Sequence, residues 1–476
     1  MPPSHATEPC VIVWFRHDLR LADNPAFICA AQTQKRILPL YILDEDATGT
    51  RPSGAASRWW LHASLEQLNK RLDGALCYGK GQAMAVIDSL VESLNVSGVY
   101  WTDIYHPSVL ARDATIKAHL HSKGIDARSF NGSLLRPPQT ILKEDGTPYK
   151  VFTSFYRTAY QGVRSWQKPQ DAPQGAFYRH TLVDLLALGL RDDRRWSVEL
   201  DSLWVAGEDE GERLLRAFVA RGLRGYEQGR DGLAGDDVSR LSSYLCLGAL
   251  SPHRVVAAVM ASDCGQTHKE AFFRQLVWRE FAAYTLYHVP SMPHRSLQPA
   301  YERVSWRDDA RALQRWQQGQ TGYPLVDAGM RQLWQTGYMH GRARMVVGSF
   351  LVKNLLLDWR DGEAWFWDTL VDADLASNSF NWQWVAGCGR DAVPYFRIFN
   401  PVLQGRKFDA DGRYVRCYVP ELARLDSRYL HAPWEAPQEA LAAAGVALGR
   451  TYPLPMVEWA SSRKRALQAY KDAVKG

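Results

Sequence analysis

Carboxyl, amide and aromatic side chains are concentrated between residues 372 and 384, where the sequence reads Asp-Ala-Asp-Leu-Ala-Ser-Asn-Ser-Phe-Asn-Trp-Gln-Trp. Its first residues resemble a calcium-binding loop, but Ser377 stands where such a loop needs glycine and Gln383 where it needs glutamate. A calcium site is therefore not expected. Polar groups next to aromatic rings, followed by the aromatic segment 395–401, instead favour a polar heterocycle held between stacking side chains.

An earlier segment carries a second set of polar and aromatic groups. On a helix, Gln275, Trp278 and Arg279 lie at i, i+3 and i+4, so an amide, an aromatic ring and a guanidinium share one face. A core helix with one partly exposed arginine would give the same pattern. Taken alone, this segment favours that simpler interpretation.

A third segment combines glycine with arginine. Gly341, Arg344, Met345 and Gly348 fall at i, i+3, i+4 and i+7 of a helix. Each glycine inside a helix costs up to ~1 kcal/mol, so two on one face predict the close approach of a ligand or of another backbone. Tight packing of two helices is the alternative.

The first third of the chain alternates short apolar runs with amphipathic stretches. The predicted strands are residues 11–15, 37–43, 76–78 and 99–102, and the predicted helices are 57–72, 83–94 and 109–122. This βαβ order predicts a doubly wound, Rossmann-like parallel sheet. Neither a Gly-x-Gly-x-x-Gly fingerprint nor a Walker motif is present, so an ordinary dinucleotide site is not expected there.

The pattern changes twice along the rest of the chain. Prolines interrupt residues 133–204, which we interpret as a long interdomain linker, and helix-length segments follow it. The predicted organisation is an α/β domain at 1–132, the linker at 133–204 and an all-α domain at 205–476. The predicted helices of the last domain include 212–221, 270–287, 324–336, 341–357 and 363–370.

Composition restricts the class of protein. The seven cysteines are scattered without a Cys-x-x-Cys pair, which argues against a metal or cluster site and predicts reduced thiols in a cytoplasmic protein. No apolar run approaches the roughly 18 residues that a membrane span needs, and no secretion leader is evident. The net charge of +6 is compatible with binding to nucleic acid but does not demand it.

Five sequence blocks resemble the signatures of the DNA photolyase and cryptochrome family, in the family's order. They are Val-Trp-Phe-Arg-His-Asp-Leu-Arg-Leu-Ala-Asp-Asn at 13–24, Trp-Arg-Glu-Phe at 278–281, Thr-Gly-Tyr-Pro-Leu-Val-Asp-Ala at 321–328, Asn-Trp-Gln-Trp at 381–384 and Tyr-Phe-Arg-Ile-Phe-Asn-Pro at 395–401. The resemblance covers most of the chain and is strongest to bacterial cyclobutane pyrimidine dimer photolyases. It implies an α/β antenna-binding domain followed by a helical FAD-binding domain.

The resemblance also implies which residues bind FAD. The matching positions are Tyr226, Ser239, Leu241, Ser242, Arg279, Arg344, Asp372, Asp374 and Asn378. Residues 238–242 match the phosphate-binding segment, with Val238 in place of a common threonine. Arg344 and Asp372 match an ion pair beside the isoalloxazine ring, and Asn378 matches the residue that faces flavin N5. Asparagine at that position is typical of photolyases, whereas plant cryptochromes have aspartate and animal ones cysteine.

The implied activity is light-dependent DNA repair. In this family excited, reduced FAD gives an electron to a flipped-out pyrimidine dimer, the cyclobutane bonds split, and the electron returns. Trp382, Trp359 and Trp306 match the family's chain of electron carriers between the flavin and the surface. No metal takes part.

The residues implied in DNA binding follow from the same resemblance. Trp278, Trp384 and Met345 match the walls of the lesion pocket. The cationic side chains that suit contacts with DNA phosphates are Arg230, Arg342, Arg397 and Lys407. The implied partner is UV-damaged DNA, and the implied state is a monomer that does not associate with membranes.

Two residues depart from the pattern of cyclobutane-dimer photolyases. Gln275 stands where those enzymes usually have a glutamate that hydrogen-bonds the lesion, and Gly341 replaces an asparagine that touches flavin and substrate. Glutamine also occurs at the first position in six-four photolyases, but only His340 is present here in place of their paired histidines. A six-four photolyase and a cryptochrome-like blue-light photoreceptor with little or no repair activity are therefore the alternatives.

An antenna pigment is implied for the α/β domain, either methenyltetrahydrofolate or 8-hydroxy-deazaflavin. The acidic and amide residues that clamp folate in some members are not evident, because Ser108 and Val109 stand at the matching place. The identity of the antenna stays open.

Overall fold

A parallel sheet forms the core of the first 130 residues. In the computed structural model, which describes residues 8–45, 51–163, 166–191, 195–235 and 237–475, the sheet has five strands in the order β3-β2-β1-β4-β5. The elements are β1 Cys10–Phe15, α1 Pro25–Gln32, β2 Arg36–Leu43, α2 Ala55–Arg71, β3 Cys77–Lys80, α3 Ala83–Ser93, β4 Val96–Thr102, α4 Pro107–Ser122 and β5 Asp126–Phe130. This order confirms the predicted doubly wound fold.

Helices cover both faces of this sheet. Along β1, Val11, Val13 and Phe15 pack against the face that carries α1 and α2, and the alternate residues pack against the face of α3 and α4. Both sets are buried, as expected for a central parallel strand whose sequence is continuously apolar.

Strand β5 is absent from the prediction, which has four strands. Its sequence Asp-Ala-Arg-Ser-Phe has no apolar run, and Ala127 is its one fully buried residue. An edge strand needs only one neighbour, β4, with which Asp126–Phe130 pairs in register from Gly98 to Thr102. The hydrophobic pattern that reveals central strands is therefore missing.

Helices dominate the rest of the chain, as predicted. Two of them, α5 Phe152–Ala159 and α6 Arg195–Leu203, lie within the segment interpreted as the linker, of which residues 164–165 and 192–194 fall outside the described residues. The others are α7 Glu208–Ala220, α8 Tyr226–Gly229, α9 Ser242–Cys246, α10 Pro252–Ala261, α11 Gln266–His288, α12 Ala310–Gln317, α13 Pro324–Thr336, α14 Gly341–Ser349, α15 Trp359–Thr369, α16 Leu375–Ala386, α17 Pro401–Phe408, α18 Arg413–Tyr418, α19 Ser427–Leu430, α20 Gln438–Ala444 and α21 Trp459–Lys475. None of the described helices combines the length and the apolar character that crossing a membrane requires.

The helix predicted for residues 341–357 is not one continuous α-helix. Helix α14 passes at Phe350 into a π-helix, Phe350–Leu355, and the chain then turns at Leu356 with a φ of 58°. The wider π-helical turn is entirely buried and includes Lys353, whose ammonium donates to the carbonyl oxygen of Tyr395 at 3.0 Å. Hydrophobic periodicity alone does not distinguish an α-helix from such a turn.

The α/β part and the helical part of the chain pack together through polar contacts. The backbone N–H of Ala55 donates to Asp368 Oδ1 at 2.9 Å, and the indole of Trp367 donates to the carbonyl oxygen of Pro52 at 2.8 Å. Nearby, Glu208 accepts from the backbone N–H groups of Leu21 and Ala22. Helix α2 is thereby fixed against α15, and the first turn after β1 against α7.

Candidate functional site

A network around Asp372 joins three separate segments of the helical region. The carboxylate of Asp372 accepts from Ser242 Oγ at 2.6 Å and from Arg344 Nη2 at 2.8 and 3.1 Å. Burial disfavours the charged guanidinium, but the ion pair with Asp372 outweighs it and raises the pKa of Arg344. The predicted residues Ser242, Arg344 and Asp372 therefore lie together, with a partly buried guanidinium paired to a buried carboxylate.

The backbone before Ser242 has the geometry of an anion-binding turn. Arg240 has a φ of 54°, in the left-handed region, and Leu241 lies in the right-handed helical region. Such an alternation makes successive backbone N–H groups point into one concavity, which favours a phosphate. Ser239 Oγ accepts from the N–H of Leu241 at 3.4 Å. The predicted phosphate-binding segment thus has suitable backbone donors even though Val238 lacks a hydroxyl.

Tyr226 closes one end of this region. Its ring is buried and meets the rings of Phe218 and Phe272 edge-on, at centroid distances of 5.7 and 5.2 Å. The guanidinium of Arg230 lies 5.9 Å from the centre of the Tyr226 ring. Tyr338, which the sequence analysis did not single out, lies between the guanidinium groups of Arg240 and Arg344, at 5.8 and 5.4 Å.

The amide of Asn378 is oriented by a residue that sequence reasoning missed. Asn378 Nδ2 donates to the main-chain oxygen of Glu363 at 3.0 Å and to Glu363 Oε1 at 2.9 Å. Since both acceptors are oxygen atoms, the nitrogen of the amide must face Glu363, and Asn378 Oδ1 faces the other way. Glu363 falls in a predicted helix, where a lone glutamate gives no signal of its own.

Arg279 and Asp374 are placed differently from the other predicted FAD-binding residues. Asp374 caps α16, with its carboxylate accepting from the N–H of Ser377 at 2.7 Å. Arg279 donates to the carbonyl oxygens of Ser133 and Leu245 at 3.0 and 3.4 Å. Both side chains line a cavity between the α/β part and the helical part of the chain.

This interdomain cavity has a volume of about 280 Å³ and lies at the carboxyl ends of the strands. Arg16 follows β1, Asp44 follows β2 and Ile104 follows β4, and all three line it. Strand order reverses between β1 and β4, and such a switch point is where open parallel sheets bind ligands. Val109 also lines the cavity, at the place where the family's folate clamp would stand.

The three predicted electron-carrying tryptophans belong to or pack against one apolar cluster of the helical region. Trp382 is 2% exposed and Trp359 is fully buried, whereas Trp306 is only partly buried. The ring of Trp382 packs directly on Gly362, one helical turn after Trp359. A Cβ at Gly362 would overlap this ring. Trp306 meets Tyr470 edge-on at 6.1 Å. Of the three rings, Trp306 is the one with partial access to solvent, as the outer end of a path to the surface requires.

One face of the partly buried Trp278 ring is covered within the protein. That face is stacked on Phe152 of α5, with ring centroids 3.6 Å apart and planes 5° apart. Phe152 lies in the predicted linker, so the sequence analysis gave it no part in the site. Gln275 is exposed on the same helix, and Trp384 and Met345 are partly buried against the helical core.

Gly341 leaves open space where the family has an asparagine. A Cβ placed on it would meet no atom within 4 Å, so the glycine is not required by tight helix packing at this position. The neighbouring His340 caps α14 by accepting from the N–H of Arg342 at 3.1 Å through Nδ1. Burial lowers the pKa of His340 to about 4, so the ring is neutral at ordinary pH.

The arginines predicted to contact DNA differ in how far they are already paired. Arg342 forms an ion pair with Asp231, and its guanidinium lies 4.4 Å from the centre of the Phe408 ring. Arg397 is exposed, with its guanidinium 5.8 Å from the Phe399 ring, and the ammonium of Lys407 lies 5.1 Å from the Phe408 ring. Arg397 is therefore better placed than Arg342 to gain a phosphate contact.

All seven cysteines are free thiols, and the described part of the chain contains no group of three or more His, Cys, Asp or Glu side chains arranged to hold a metal ion. The polar groups described above are a guanidinium–carboxylate pair, a backbone concavity suited to phosphate and an amide oxygen. These groups fit the ring and the pyrophosphate of a flavin dinucleotide.

Comparisons with known proteins agree with this assembly. A family model described as DNA photolyase matches residues 11–174, and one described as the FAD binding domain of DNA photolyase matches residues 272–472. The deoxyribodipyrimidine photo-lyase of Agrobacterium fabrum is 44% identical over 471 residues, which cover 97% of this chain and 97% of that relative. Cryptochrome-2 of Arabidopsis thaliana is 35% identical over 480 residues, which cover 96% of this chain and 78% of that relative.

The fold agrees as well. The crystal structure of a bacterial class III photolyase from Agrobacterium tumefaciens matches with a TM-score of 0.94 at 43% identity, and the match covers 100% of both chains. The FAD-binding match includes the Arg344–Asp372 ion pair and Asn378. These matches cover both the parallel sheet and the helical region, and the chain therefore belongs to the DNA photolyase and cryptochrome family.

Proposed function

We propose that this protein is a photolyase, which uses light and bound FAD to split cyclobutane pyrimidine dimers in DNA. The observation that carries the proposal is the arrangement of Asn378, whose amide is held by Glu363 so that its oxygen is left for flavin N5. This is the asparagine that photolyases have and that plant and animal cryptochromes replace. The full-length similarity to a deoxyribodipyrimidine photo-lyase supports the same conclusion.

FAD, when bound and reduced, supplies the electron that light makes available to the dimer. The residues of the chain hold and shield it. In the proposal, Arg344 and Asp372 lie beside the isoalloxazine ring, and the backbone of residues 239–242 binds the pyrophosphate. The remaining proposed contacts are Tyr226, Arg279 and Asp374. The buried setting excludes water, which strengthens the Arg344–Asp372 pair.

The tryptophans Trp382, Trp359 and Trp306 are proposed to supply electrons that keep the flavin reduced. Trp382 and Trp359 are buried and Trp306 is partly buried, which supports a path that reaches solvent through Trp306. Reduction in the light would then need no reductant with access to the flavin itself, because the last tryptophan can be reduced at the surface.

The lesion pocket is proposed to lie between Trp278, Trp384 and Met345. Phe152 stacks on one face of the Trp278 ring and restricts its motion. A flipped base would stack on the opposite face at little cost in side-chain entropy. Gln275 would donate to and accept from the lesion. Arg230, Arg342 and Arg397 would contact the DNA backbone.

Repair of a thymine-dimer oligonucleotide by the purified, photoreduced protein under blue light tests the proposal, with a dark control and a six-four substrate in parallel. We expect light-dependent loss of the cyclobutane dimer. Trp278→Ala should abolish repair while FAD stays bound, and Trp434→Ala, a change in another partly buried tryptophan, should leave repair in place. Failure on the cyclobutane dimer with FAD bound would contradict the proposal.

A cryptochrome-like photoreceptor is the second candidate, and the open space at Gly341 favours it. Without an asparagine side chain there, one contact between flavin and lesion is missing. A protein that binds FAD and changes its absorbance in light, but repairs neither lesion, would establish this candidate. The six-four reaction is less favoured, because His340 is neutral and caps α14 instead of forming part of a histidine pair.

The side of the interdomain cavity formed by the α/β domain is the proposed place of an antenna pigment, a folate or a deazaflavin, whereas Arg279 and Asp374 line its helical side. Its position at the switch point of the sheet and its arginine side chains Arg16, Arg51 and Arg112 suit a pigment with carboxylate or phosphate groups. Adding each pigment to the FAD-bound protein should give a new absorbance band and transfer of excitation to the flavin. A Val109→Trp change should block it without loss of FAD, and an unaffected band would place the pigment elsewhere.

The division into domains at 1–132, 133–204 and 205–476, the monomeric state and the cytoplasmic location complete the proposal. The site residues all come from one chain, and the free thiols suit a reducing compartment. Sedimentation of the FAD-bound protein tests the monomer directly, since a dimer would double the expected mass.

A further inference from the structure

An ion pair joins the α/β part of the chain to the residue that orients Asn378. Glu363 lies in α15, and its side chain is 4% exposed. Its Oε1 accepts from Asn378, and its Oε2 accepts from Arg51 Nη1 at 2.6 Å. Arg51 stands 312 positions earlier in the sequence, just before α2. Two hydrogen bonds thus connect a residue beside the sheet with the amide at the flavin site.

Arg51 is itself held in place by the neighbouring turn of α15. Its guanidinium lies 5.0 Å from the centre of the Trp367 ring, and the same indole donates to the carbonyl oxygen of Pro52. Gly54 lies so close to the backbone of Trp367 that a Cβ there would overlap it. The segment that carries Arg51 therefore follows α15 and has little freedom to move away from Glu363.

The charge on Arg51 has a consequence for the orientation of the amide. A guanidinium that donates to a carboxylate stabilises its ionised form, which has no proton to donate. Glu363 can then only accept, and Asn378 must turn its nitrogen toward it. Without Arg51 the carboxylate of Glu363 loses a partner that fixes its position, and the main-chain oxygen of Glu363 would be left as the fixed acceptor for Asn378 Nδ2.

We propose that Arg51 is a positioning residue for the flavin: by pairing with Glu363 it fixes the amide of Asn378, so that the α/β domain biases the bound flavin toward its reduced state. The inference rests on the proposed function, in which Asn378 faces flavin N5. N5 carries a hydrogen after reduction and none in the oxidised ring. An oxygen of fixed orientation at N5 accepts from the reduced form and has no donor to pair with in the oxidised one.

The test is a redox titration of the FAD-bound protein in the dark and without DNA, so repair is not the readout. Arg51→Met should lower the ratio of reduced to oxidised flavin at a fixed applied potential about tenfold, roughly the effect of losing one well-oriented hydrogen bond to N5. Arg51→Lys should restore most of the ratio. The control is Arg71→Met, which removes the ion pair between Arg71 and Glu208 at the same domain interface, 3.4 Å long, and should have no effect.

A double-mutant cycle separates positioning from a loss of charge alone. If Arg51 acts through the amide, Arg51→Met should change the ratio less in an Asn378→Ala background than in the parent protein. An unchanged ratio in Arg51→Met, an equal change in Arg71→Met, or strictly additive effects in the cycle would each overturn the inference. Should Arg51→Met fail to retain FAD, Arg51→Gln replaces it: the charge is lost while an N–H donor remains, so a smaller fall of the ratio in the same direction is expected.

The repair assay distinguishes this inference from the proposed function. A parent protein that binds FAD but does not repair contradicts the function, while the redox titration still measures the effect of Arg51. Normal repair by the parent protein together with an unchanged ratio in Arg51→Met contradicts the inference alone.

Discussion

The side-chain nitrogen of Asn378 is committed to two oxygens of Glu363, which leaves its oxygen as the polar atom available to a ligand. Asn378→Asp would place a carboxylate oxygen where that nitrogen donates, and two carboxylates at this distance cannot both stay ionised. We expect the fraction of reduced flavin after a fixed illumination to fall several-fold. Absorbance of the bound flavin measures it.

The matched control for this change is Asn381→Asp on the same helix. Asn381 is exposed, and its Nδ2 donates only to the carbonyl oxygen of Ser377. Its replacement should leave the flavin spectrum and the rate of photoreduction unchanged. Equal behaviour of the two variants would count against the place given to Asn378.

Trp382→Phe should slow photoreduction of the flavin at least about tenfold, because a phenyl ring is much harder to oxidise than an indole. The buried ring volume is nearly kept, so the fold should tolerate the change. Trp101→Phe, in the fully buried core of the sheet, is the control. The decay of oxidised-flavin absorbance under light gives both rates, and equal rates would remove Trp382 from the electron path.

Sequence reasoning found the polar groups of the site better than their partners. Asp372 and Asn378 stand in the polar segment 372–384 and Arg344 on the glycine-containing helix face, and the structure brings Arg344 and Asp372 together with Ser242. Arg51 and Glu363 escaped notice because their pairing spans 312 positions and follows only from how the sheet docks on α15. In a sequence, a charged residue on a helix gives the same signal whether it faces solvent or pairs with a residue far away in the chain.

Gly362 allows a close contact between helices α15 and α16. A Cβ at Gly362 would overlap the ring of Trp382, so Gly362→Ala should destabilise the protein by about 1–3 kcal/mol and displace the indole. Gly341→Ala has open space and should be neutral or stabilising by up to ~1 kcal/mol. Chemical denaturation compares the two, and photoreduction should slow in Gly362→Ala only. A neutral Gly362→Ala would contradict the contact.

Glu280 fastens the start of the linker to α11 and makes this contact dependent on pH. Its carboxyl accepts from the N–H groups of Leu135 and Arg136 and from the hydroxyl of Tyr160. Burial raises the pKa of Glu280 to about 7, although Arg279 and the two N–H donors oppose the rise. The folded protein therefore holds this proton more tightly than the unfolded chain.

The sign of the effect follows from that difference. The stability that Glu280 contributes is fully present below pH 4.5 and is lost as pH rises through about 7, a change of about 3 kcal/mol. Glu280→Gln should remove this part of the pH dependence of the free energy of unfolding, and the exposed Glu439→Gln should not. Identical pH profiles for the parent and Glu280→Gln would show that the carboxyl does not titrate in this range.

Predictability also differs among the elements. Central strands and long amphipathic helices were found from apolar periodicity, whereas β5 and the π-helix Phe350–Leu355 were not. The edge strand buries too little to show a pattern, and the π-helix keeps the apolar character of the helix that it continues. Helix α5 was hidden because prolines surround it and suggested an irregular connection.

The molecule as a whole carries a net charge of +6, and its contact with DNA should depend strongly on salt. Arg397 is exposed and is a proposed phosphate contact, so Arg397→Gln should weaken binding and reduce the salt slope by about 1. Arg128→Gln, an equally exposed change on β5, should alter neither. Affinity for a dimer-containing duplex at several salt concentrations gives the slope, and an unchanged slope would remove Arg397 from the interface.

The stacking of Phe152 on Trp278 limits how this chain can be recombined with its relatives. A chimera joined after residue 204 would take Trp278 from one parent and Phe152 from the other, although the two rings lie 3.6 Å apart. A junction near residue 132 keeps the pair in a single parent. Recombination of the two halves, in the laboratory or during evolution, should therefore succeed more often at the earlier boundary. At that boundary Phe152 and Trp278, which together form one wall of the pocket, come from the same parent.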